Sequence, residues 1–388
     1  MYTRYLNISS ILARKSLFLL GPRQTGKTTF LKNLPGKKAH FIDLLKPSVY
    51  QDILRNPEYL AEVISAHENE TSIFVIDEIQ KVPSVLDEVH RLIELNKKLR
   101  FVLTGSSARK LRRQGVNLLG GRAAMVRFHP ITSSEAEDQI KIEKLFKCGG
   151  LPFILTSDKP MDDLKDYVGL YLKEEIHAEG LSRSIENFSL FLNAAGLSQC
   201  EQINFTAVGN DAQIPPRTVI DYFTVLEDTL IGHMLPAYTK TKKRKAMTSA
   251  KFYFFDVGVG NILGAREMTT QRNPIYGKIL EHFIFTELRA YLDYNFLDYP
   301  LCYWRSTSQF EVDFVIPLSA KTAIGIEVKS ARNPVKRDFK GLLALEEDIK
   351  LERKIVICGA DVKRKLESGI EIYPLRSFLH ELWKQQIF

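Results

Sequence analysis

The segment 21-GPRQTGKTT-29 has the residue types and the spacing of a loop that cradles phosphate groups. Gly21 and Gly26 allow the backbone to curl until its N–H groups face phosphate oxygens. Lys27 supplies a cation for the β- and γ-phosphates, and the Thr28 hydroxyl is placed to bind Mg²⁺. The segment predicts a site for ATP or ADP that is lined by Gly21, Pro22, Arg23, Gln24, Thr25, Gly26, Lys27, Thr28 and Thr29.

Two adjacent carboxylates, Asp77 and Glu78, follow the apolar run IFVI at residues 73–76. At the carboxyl end of a buried strand, the first acid can hold Mg²⁺ through water and the second can polarise an attacking water. We assign these roles to Asp77 and Glu78, respectively, so that Thr28 and Asp77 together would hold the ion. The alternative, that Asp77 only caps the next element, is disfavoured by the phosphate loop upstream.

Polar residues also end a third apolar run, RFVLTGSSA at residues 100–108. Beside a phosphate site, such side chains can sense the γ-phosphate and orient the water. We predict this catalytic role for Ser106, with Thr104 as the alternative. In the later segment LLGGRAAMVRF, Arg122 follows two glycines, and an arginine on such a loop can reach the γ-phosphate within its own chain or from a neighbouring subunit of a homo-oligomer. A surface arginine in a turn is the open alternative.

A second set of reactive side chains lies in 309-QFEVDFVIPLSAKTAIGIEVKSA-331, which predicts two strands joined by a polar turn. Because side chains alternate along a strand, Glu311 and Asp313 share one face of the first strand. Glu327 and Lys329 share one face of the second strand, and the other face of both strands is apolar. Acids and a lysine gathered in this way indicate either a metal site or a solvated surface.

The elements that would position the first set alternate between strand and helix over residues 1–135. This alternation predicts a mostly parallel sheet with helices on both faces and a ligand at the carboxyl ends of the strands. Residues 136–195 are predicted to form a helical lid or linker. Residues 196–260 predict a helix–turn–helix followed by a β-hairpin, which is the order of a winged helix. Residues 261–388 return to mixed helices and strands.

The predicted hairpin has a basic tip, and a basic wing can meet the phosphate backbone of DNA with little sequence preference. Arg217 and Thr218 would add contacts from the start of the preceding helix. Packing of one domain on another is the open alternative for a winged helix. Two basic clusters stand out: Lys240, Lys242, Lys243, Arg244 and Lys245 at the tip, and Arg109, Lys110, Arg112 and Arg113 further upstream.

The composition bounds the kind of protein. A chain of 388 residues with 45% hydrophobic and 26% charged residues indicates a soluble protein of two or three domains. No apolar run approaches the roughly 20 residues that cross a bilayer, so no membrane partner is expected. The four cysteines form no CxxC pair, which disfavours disulfides and zinc and suits a cytoplasmic location. The net charge of +8 allows a nucleic-acid partner without requiring one.

The motifs GPRQTGKTT, VIDEIQ, LTGSS, LLGGR and GGLPF occur in this order along the chain. In these motifs, and over nearly its whole length, the sequence resembles bacterial ATPases of the AAA+ superfamily that carry an AAA_14-type ATPase domain and a C-terminal DUF4143 domain. The resemblance implies an ATP-binding domain with residual or regulated ATPase activity.

Within the C-terminal domain, the order helix, hairpin, E-x-K strand, helix and strand resembles the PD-(D/E)xK nuclease core. Asp313, Glu327 and Lys329 match its acid and E-x-K positions, and Glu281 matches the acid often supplied by the preceding helix. The resemblance implies Mg²⁺ at Glu281, Asp313 and Glu327, with Lys329 orienting the attacking water. Val312 stands where the family often has proline. A solvated edge, or an inactive relic in which Lys329 neutralises the acids, stays open.

The sequence thus predicts an α/β protein with a P-loop NTPase sheet, a helical and winged-helix segment, and a PD-(D/E)xK nuclease-like α/β domain. Its predicted function is ATP hydrolysis with Mg²⁺, coupled to nucleic-acid binding and metal-dependent cleavage, with DNA favoured over RNA. The alternative is an ATP-dependent switch whose C-terminal domain binds DNA or a protein partner without cleavage.

Overall fold

The structure is a computed structural model that describes residues 2–34, 38–106, 119–137, 139–171, 184–266 and 274–388. It divides into two compact units. The first consists chiefly of residues 3–130 and 228–231, and the second of residues 131–227 and 232–388. The boundary predicted at residue 135 stays a prediction. The division of the remaining chain into three domains stays a prediction.

The first unit is built on a five-stranded sheet in the order β2-β3-β4-β1-β5, and all neighbouring strands are parallel. β1 and β3 are buried along their whole length, as expected for apolar runs in a sheet covered on both faces. The strands are β1 Ser16–Leu20, β2 His40–Asp43, β3 Ile73–Asp77, β4 Arg100–Gly105 and β5 Ala123–Arg127.

Helices connect these strands, and their apolar residues pack with the sheet into one core that includes Leu60, Ile76, Val89 and Phe101. A helix between two parallel strands is the usual crossover connection. The helices of this unit are α1 Ser9–Leu12, α2 Lys27–Lys32, α3 Pro47–Arg55, α4 Tyr59–His67 and α5 Val85–Leu95, with 3₁₀ turns at Ile79–Lys81 and Leu119–Gly121.

The second unit begins with helices, as predicted for residues 136–195. These are α6 Ser133–Ala136, α7 Ile142–Cys148, α8 Pro152–Leu155, α9 Pro160–Asp166, a π-helical turn at Tyr167–Tyr171, and α10 Ile185–Leu197. α11 Phe205–Ala212 and α12 Pro216–Asp228 follow, and then the antiparallel pair β6 Gly232–Leu235 and β7 Lys251–Phe254. Two helices followed by a hairpin agree with the element order predicted for residues 196–260. α13 Val257–Leu263 and the long helix α14 Pro274–Tyr294 come next.

The C-terminal part contains a six-stranded mixed sheet in the order β12-β13-β11-β10-β9-β8. β9 and β10 form the predicted hairpin, and β10 runs parallel to β11 on its other side. A hydrophobic core cluster of this part includes Trp304, Val312, Leu342 and Val356. The elements are β8 Cys302–Arg305, β9 Glu311–Pro317, β10 Thr322–Val328, a 3₁₀ turn at Lys336–Phe339, α15 Lys340–Glu346, β11 Lys350–Cys358, β12 Arg364–Lys365, β13 Ile370–Pro374 and α16 Leu375–Trp383.

The predicted fold class is confirmed at this level: a parallel five-stranded α/β unit, then helices, then a C-terminal sheet. The nuclease-like topology of the C-terminal part stays a prediction. No helix in the described part of the chain is long and apolar enough to cross a membrane.

A buried carboxylate, Glu287 on α14, ties three helices of the second unit together. It accepts hydrogen bonds from the backbone N–H of Ser133 at 2.8 Å, from the Ser133 hydroxyl at 2.6 Å and from the Trp383 indole N–H at 2.6 Å. Burial raises the pKa of Glu287 from 4.5 to about 7, although these hydrogen bonds act in the opposite direction. The folded unit therefore binds this proton more tightly than the unfolded chain does.

A pH dependence of stability follows from Glu287. Its contribution is fully present below pH 4.5 and is lost as the pH rises through about 7. We expect the loss of this contribution between pH 4.5 and about 7 to lower the free energy of unfolding by up to roughly 3 kcal/mol. Glu287→Gln should flatten the dependence of the free energy of unfolding on pH in this range. Both tryptophans, Trp304 and Trp383, lie in the second unit, so tryptophan fluorescence during urea unfolding reports on it. The exposed Glu367→Gln is the control, and equal slopes in Glu287→Gln and wild type would contradict the expectation.

Candidate functional site

The glycine-rich loop connects β1 to α2 and has the predicted curled backbone. Gly21 has no room for a side chain, because a Cβ atom there would collide with the carbonyl oxygen of Phe128. Gly26 has a φ of 94°, which is a left-handed conformation that glycine adopts without strain. Inside the curl, the Thr25 hydroxyl donates to the Pro22 carbonyl at 2.8 Å. The loop geometry therefore depends on backbone conformation and on internal hydrogen bonds such as the one from Thr25 to Pro22.

Lys27 lies within the curl of this loop. Its side chain is almost fully buried, and its ammonium donates to the carbonyl oxygens of Gly21 at 2.7 Å and Pro22 at 2.9 Å. Thr29, the last residue of the motif, is exposed on the outer side of α2. The ammonium is thus held at the loop that would surround a phosphate, whereas Thr29 is not drawn into it.

Thr28 and Asp77 come together at the carboxyl edge of the sheet. The Thr28 hydroxyl donates to one carboxylate oxygen of Asp77 at 2.9 Å, and the Thr104 hydroxyl donates to the other. A hydroxyl next to a carboxylate is the kind of hard oxygen set that Mg²⁺ prefers. These residues therefore fit the Mg²⁺ role that the sequence predicts for Thr28 and Asp77.

Glu78 is oriented by a residue that the sequence reasoning missed. Its backbone has a left-handed φ of 61°, and its N–H donates to the Thr104 hydroxyl at 3.2 Å. The buried Gln80 amide donates to the Glu78 carboxylate and, at 3.2 Å, to the Ser106 hydroxyl. A polar side chain within the buried stretch IFVIDEIQ was the signal that could have pointed to Gln80.

The structure therefore gathers Lys27, Thr28, Asp77, Glu78 and Ser106 at one edge of the parallel sheet. The two candidates for sensing the γ-phosphate are both there, in different positions. Thr104 contacts Asp77 directly, whereas Ser106 is linked to Glu78 through Gln80. The catalytic roles themselves stay predictions.

Arg122 is placed differently from the expectation that it reaches the γ-phosphate within its own chain. It precedes β5, and β5 runs parallel to β1, with Ala123 beside Ser16 and Arg127 beside Leu20. Arg122 therefore lies at the amino edge of the sheet, one strand length or roughly 15 Å from the loop that follows Leu20. There it forms an ion pair with Glu94. A role at the site of a neighbouring subunit stays a prediction.

The upstream basic cluster formed by Arg109, Lys110, Arg112 and Arg113 lies outside the described residues. At the hairpin tip, the Arg244 guanidinium pairs with Glu347 at 3.1 Å and donates to the Ala344 carbonyl at 3.0 Å. Arg244 is therefore bound to the C-terminal part of its own unit. The side chains of Lys240, Lys242, Lys243 and Lys245 are exposed, as is Arg217 at the start of α12.

Two acids of the predicted hairpin, Asp313 and Glu327, are buried, which disfavours the solvated-surface alternative, whereas Glu311 is partly exposed. Asp313 on β9 is 7% exposed, and Glu327 on β10 is 5% exposed. Asp313 accepts a hydrogen bond from the backbone N–H of Val328 at 2.8 Å, and Lys329 pairs with Glu327. The sheet is covered on both faces here, since β9 is buried from Val312 to Ile316. Asp313 and Glu327 thus lie in the interior, and Lys329, whose side chain is 30% exposed, pairs with Glu327.

Lys251, which the sequence reasoning did not single out, lies among these acids. It comes from β7 and is 3% exposed. Its ammonium is 2.7 Å from a carboxylate oxygen of Glu311, 2.9 Å from one of Glu281 and 3.8 Å from one of Asp313. The Tyr253 hydroxyl, also on β7, donates to the same Glu281 oxygen at 2.6 Å. A lysine at the start of the apolar strand KFYF was the available signal.

The charges of this cluster shift one another's protonation. Burial alone would lower the pKa of Lys251, but the carboxylates of Glu281, Asp313 and Glu311 together raise it well above its usual value. Burial and the neighbouring charge of Asp313 raise the pKa of Glu327 well above its usual range. Burial likewise raises the pKa of Glu281, against the influence of Lys251. Lys251 is therefore held as a cation in the interior.

This arrangement corrects the predicted metal set of Glu281, Asp313 and Glu327. Within the described residues, no three or more His, Cys, Asp and Glu side chains are grouped so that they could hold a metal ion. Oxygens lie 2.7–3.8 Å from the Lys251 ammonium, whereas Mg²⁺ requires oxygens at about 2.0–2.1 Å. The acids are spaced for an ammonium group, so they do not fit a divalent ion as they stand.

The fold of the first unit and the site at its glycine-rich loop together define the class of domain to which this unit belongs. A glycine-rich loop between β1 and α2, with an acid pair ending a strand of the same parallel sheet, is the arrangement of P-loop nucleotide-binding domains. The family comparisons agree. Residues 13–137 match the model described as AAA domain, AAA_14, and residues 276–378 match a domain of unknown function, DUF4143. Residues 139–270 match a further domain of unknown function, DUF8612. The chain thus carries an AAA-type ATPase domain and a C-terminal DUF4143 domain.

Similar proteins occur in bacteria. An uncharacterized protein of Mycobacterium tuberculosis is 25% identical over 373 residues, which cover 94% of this chain and 80% of that protein. An uncharacterized protein of Haemophilus influenzae is 24% identical over 320 residues, which cover 77% and 75% of the two chains. These relatives resemble the chain across its two units rather than in the ATPase domain alone.

Two solved structures of replication initiators are also similar. DnaA bound to AMPPCP and single-stranded DNA shares 13% identity and a TM-score of 0.29, over 57% of this chain and 86% of that chain. Domain III of Thermotoga maritima DnaA shares 16% identity and a TM-score of 0.27, over 46% and 83% of the two chains. With TM-scores this low, the likeness adds nothing to the fold already described.

Proposed function

We propose that this protein is an ATP-hydrolysing switch, in which the P-loop unit binds and hydrolyses ATP. The observation that carries the proposal is the meeting of Thr28, Asp77 and Glu78 at the carboxyl edge of the sheet, beside the loop that holds Lys27. Mg²⁺, when bound, would be held by Thr28 and Asp77 and would neutralise charge on the β- and γ-phosphates. Lys27 would exchange its carbonyl partners for phosphate oxygens.

Glu78 is the proposed base in this mechanism. Its carboxylate would accept a proton from the attacking water, and the Gln80 amide would fix the orientation of that carboxylate. Ser106, on the other side of Gln80, would transmit the presence of a γ-phosphate to Glu78 through the same amide. The left-handed backbone at Glu78 supports a functional role, because such strained conformations of non-glycine residues concentrate at active sites.

For the C-terminal part, we favour binding of DNA or of a protein partner without cleavage. The exposed Lys242, Lys243 and Lys245 at the hairpin tip offer cations to a phosphate backbone. The buried acids are already neutralised in part by Lys251, which supports binding over metal-dependent cleavage. The tip is a proposed DNA contact, with RNA as the less favoured nucleic acid.

The test of this proposal is stimulation of ATP hydrolysis by duplex DNA. We expect stimulation in the wild type and equally in Asp313→Ala. Charge reversal of Lys242, Lys243 and Lys245 should weaken DNA binding and flatten its dependence on salt, because fewer counterions are released. Reversal of the exposed Lys321 and Lys384, elsewhere in the same unit, is the control. Equal DNA affinity and salt dependence in the tip variant and the wild type would remove the tip as the DNA contact.

Cleavage of nucleic acid is the competing function, and one observation favours it: Lys329 pairs with the buried Glu327, and the buried Asp313 bonds to the neighbouring Val328. The discriminating experiment offers single- and double-stranded DNA and RNA to the wild type with Mg²⁺ or Mn²⁺, with and without ATP. We expect no cleavage that depends on Asp313 or Lys329. Cleavage by the wild type that is lost in both Asp313→Ala and Lys329→Ala would show that the protein is a nuclease and not a switch without cleavage.

A further inference from the structure

The interior of the second unit holds an unusual concentration of charge around β9 and β10. Four carboxyl groups and two ammonium groups form this cluster, all buried except the partly exposed Glu311 and Lys329, so its formal charge is minus two when all are ionised. The acids are Glu281, Glu311, Asp313 and Glu327, and the cations are Lys251 and Lys329. Buried charges are tolerated only where they are paired or hold an ion, so this cluster requires its cations.

Lys251 has a central position in the cluster. It contacts three carboxylates from two elements: Glu281 from α14, and Glu311 and Asp313 from the start of β9. Lys329, by contrast, pairs with Glu327 and is about one-third exposed. The ammonium of Lys251 is therefore the group that draws the helix and the strand together, in the way a bound cation would.

Glu327 supplies an independent indication of a ligand position. One of its oxygens pairs with Lys329, but the other, Oε2, is buried and has no hydrogen-bond partner among the described residues. An unpartnered carboxylate oxygen in the interior is costly, and a bound cation or a proton would relieve it. The acids Asp313 and Glu311 are close enough for their charges to act on Glu327.

We propose that Lys251 is the resident cation of this carboxylate pocket, and that removal of its ammonium opens a site for a hard divalent cation such as Mn²⁺ or Mg²⁺. The wild-type chain then binds no divalent ion at these acids. The inference rests on the contacts of Lys251 and is independent of ATP hydrolysis at the P-loop.

The chemistry of the pocket supports this exchange. Carboxylate oxygens are the ligands that hard divalent cations prefer. Without the ammonium, Glu281, Glu311 and Asp313 would repel one another, and an ion of higher charge would draw their oxygens closer than the 2.7–3.8 Å at which they surround Lys251. The same side chains could thus bind either the Lys251 ammonium or a divalent ion, and the divalent ion can bind only when the ammonium is absent.

The test is direct binding of Mn²⁺ without nucleotide, measured from the electron paramagnetic resonance signal of the free ion. Lys251→Met removes the charge and keeps an unbranched side chain of nearly the same length. This variant should gain one Mn²⁺ site at least about tenfold tighter than any in the wild type. The double variant Lys251→Met with Asp313→Asn should lose it. Lys278→Met removes a lysine from an exposed pair with Glu201 and should gain nothing.

Several outcomes would overturn the proposal. A folded Lys251→Met that gains no site sensitive to Asp313→Asn would do so. If Lys251→Met does not fold, Lys251→Gln replaces it, because the amide keeps a hydrogen bond to the acids. A comparison of the wild type with the single variant Asp313→Asn tests the proposal without either Lys251 variant. If the wild type binds Mn²⁺ and Asp313→Asn weakens that binding, Lys251 does not exclude the ion. Loss of ATP hydrolysis in any variant would bear on the proposed function and not on this site.

Discussion

Glu78→Gln should bind ATP as the wild type does and hydrolyse it about 100-fold more slowly, or slower still. The amide cannot accept a proton from water, and a general base contributes a factor of this size or more. The backbone N–H of residue 78 would keep its bond to the Thr104 hydroxyl, because that bond does not involve the changed side chain. The loop and the Thr28–Asp77 pair are also unchanged. After the variant is mixed once with ATP, the bound ATP should therefore remain unhydrolysed.

The measurement is single-turnover release of labelled phosphate, together with the fraction of ATP that remains bound. Glu68→Gln, an exposed glutamate of the same unit, is the matched control and should hydrolyse ATP at the wild-type rate. Unchanged hydrolysis in Glu78→Gln would show that Glu78 is not the base; Asp43 and Asp77, which end β2 and β3, would then be the carboxylates to test at this edge of the sheet.

Lys27→Ala should weaken ATP binding by about 100-fold. The ammonium would make charge-assisted hydrogen bonds to two phosphate oxygens, and bonds of this type contribute roughly 1.5–3 kcal/mol each. The substitution also removes the two bonds from Lys27 to the carbonyls of Gly21 and Pro22, so the curl of the empty loop would lose an internal support. Both effects lower the affinity for nucleotide.

Titration with a fluorescent ATP analogue measures this loss. Lys32→Ala is the control, because Lys32 lies on the same helix and is exposed. An affinity in Lys27→Ala within twofold of the Lys32→Ala value would show that the nucleotide binds elsewhere than in the glycine-rich loop.

The P-loop site could be predicted from sequence because its chemistry is local or follows from strand direction. The loop from Gly21 to Thr29 is contiguous, and Asp77 and Ser106 follow parallel strands whose carboxyl ends meet at one edge. The same rule explains the different placement of Arg122. It precedes β5 instead of following it, and a residue before a parallel strand lies at the opposite edge.

Gln80 and Lys251 each stand out in sequence as a polar residue in an apolar run, but their roles could not be derived from it, because those roles depend on conformation and on long-range packing. Gln80 meets Glu78 only because the backbone at Glu78 turns left-handed. Lys251 belongs to a hairpin far from Asp313 in sequence, and nothing in KFYF indicates that its first residue points at acids on α14 and β9. Alternation along β9 predicted which acids share a face, but not that the face is buried.

The most direct test of the proposed switch is phosphate release from ATP by the wild-type chain in Mg²⁺, with Lys27→Ala assayed in parallel. We predict steady release by the wild type, stimulated by duplex DNA, and release at the blank level in Lys27→Ala. Release that is absent from the wild type with and without DNA, or equal in the two proteins, would contradict the account.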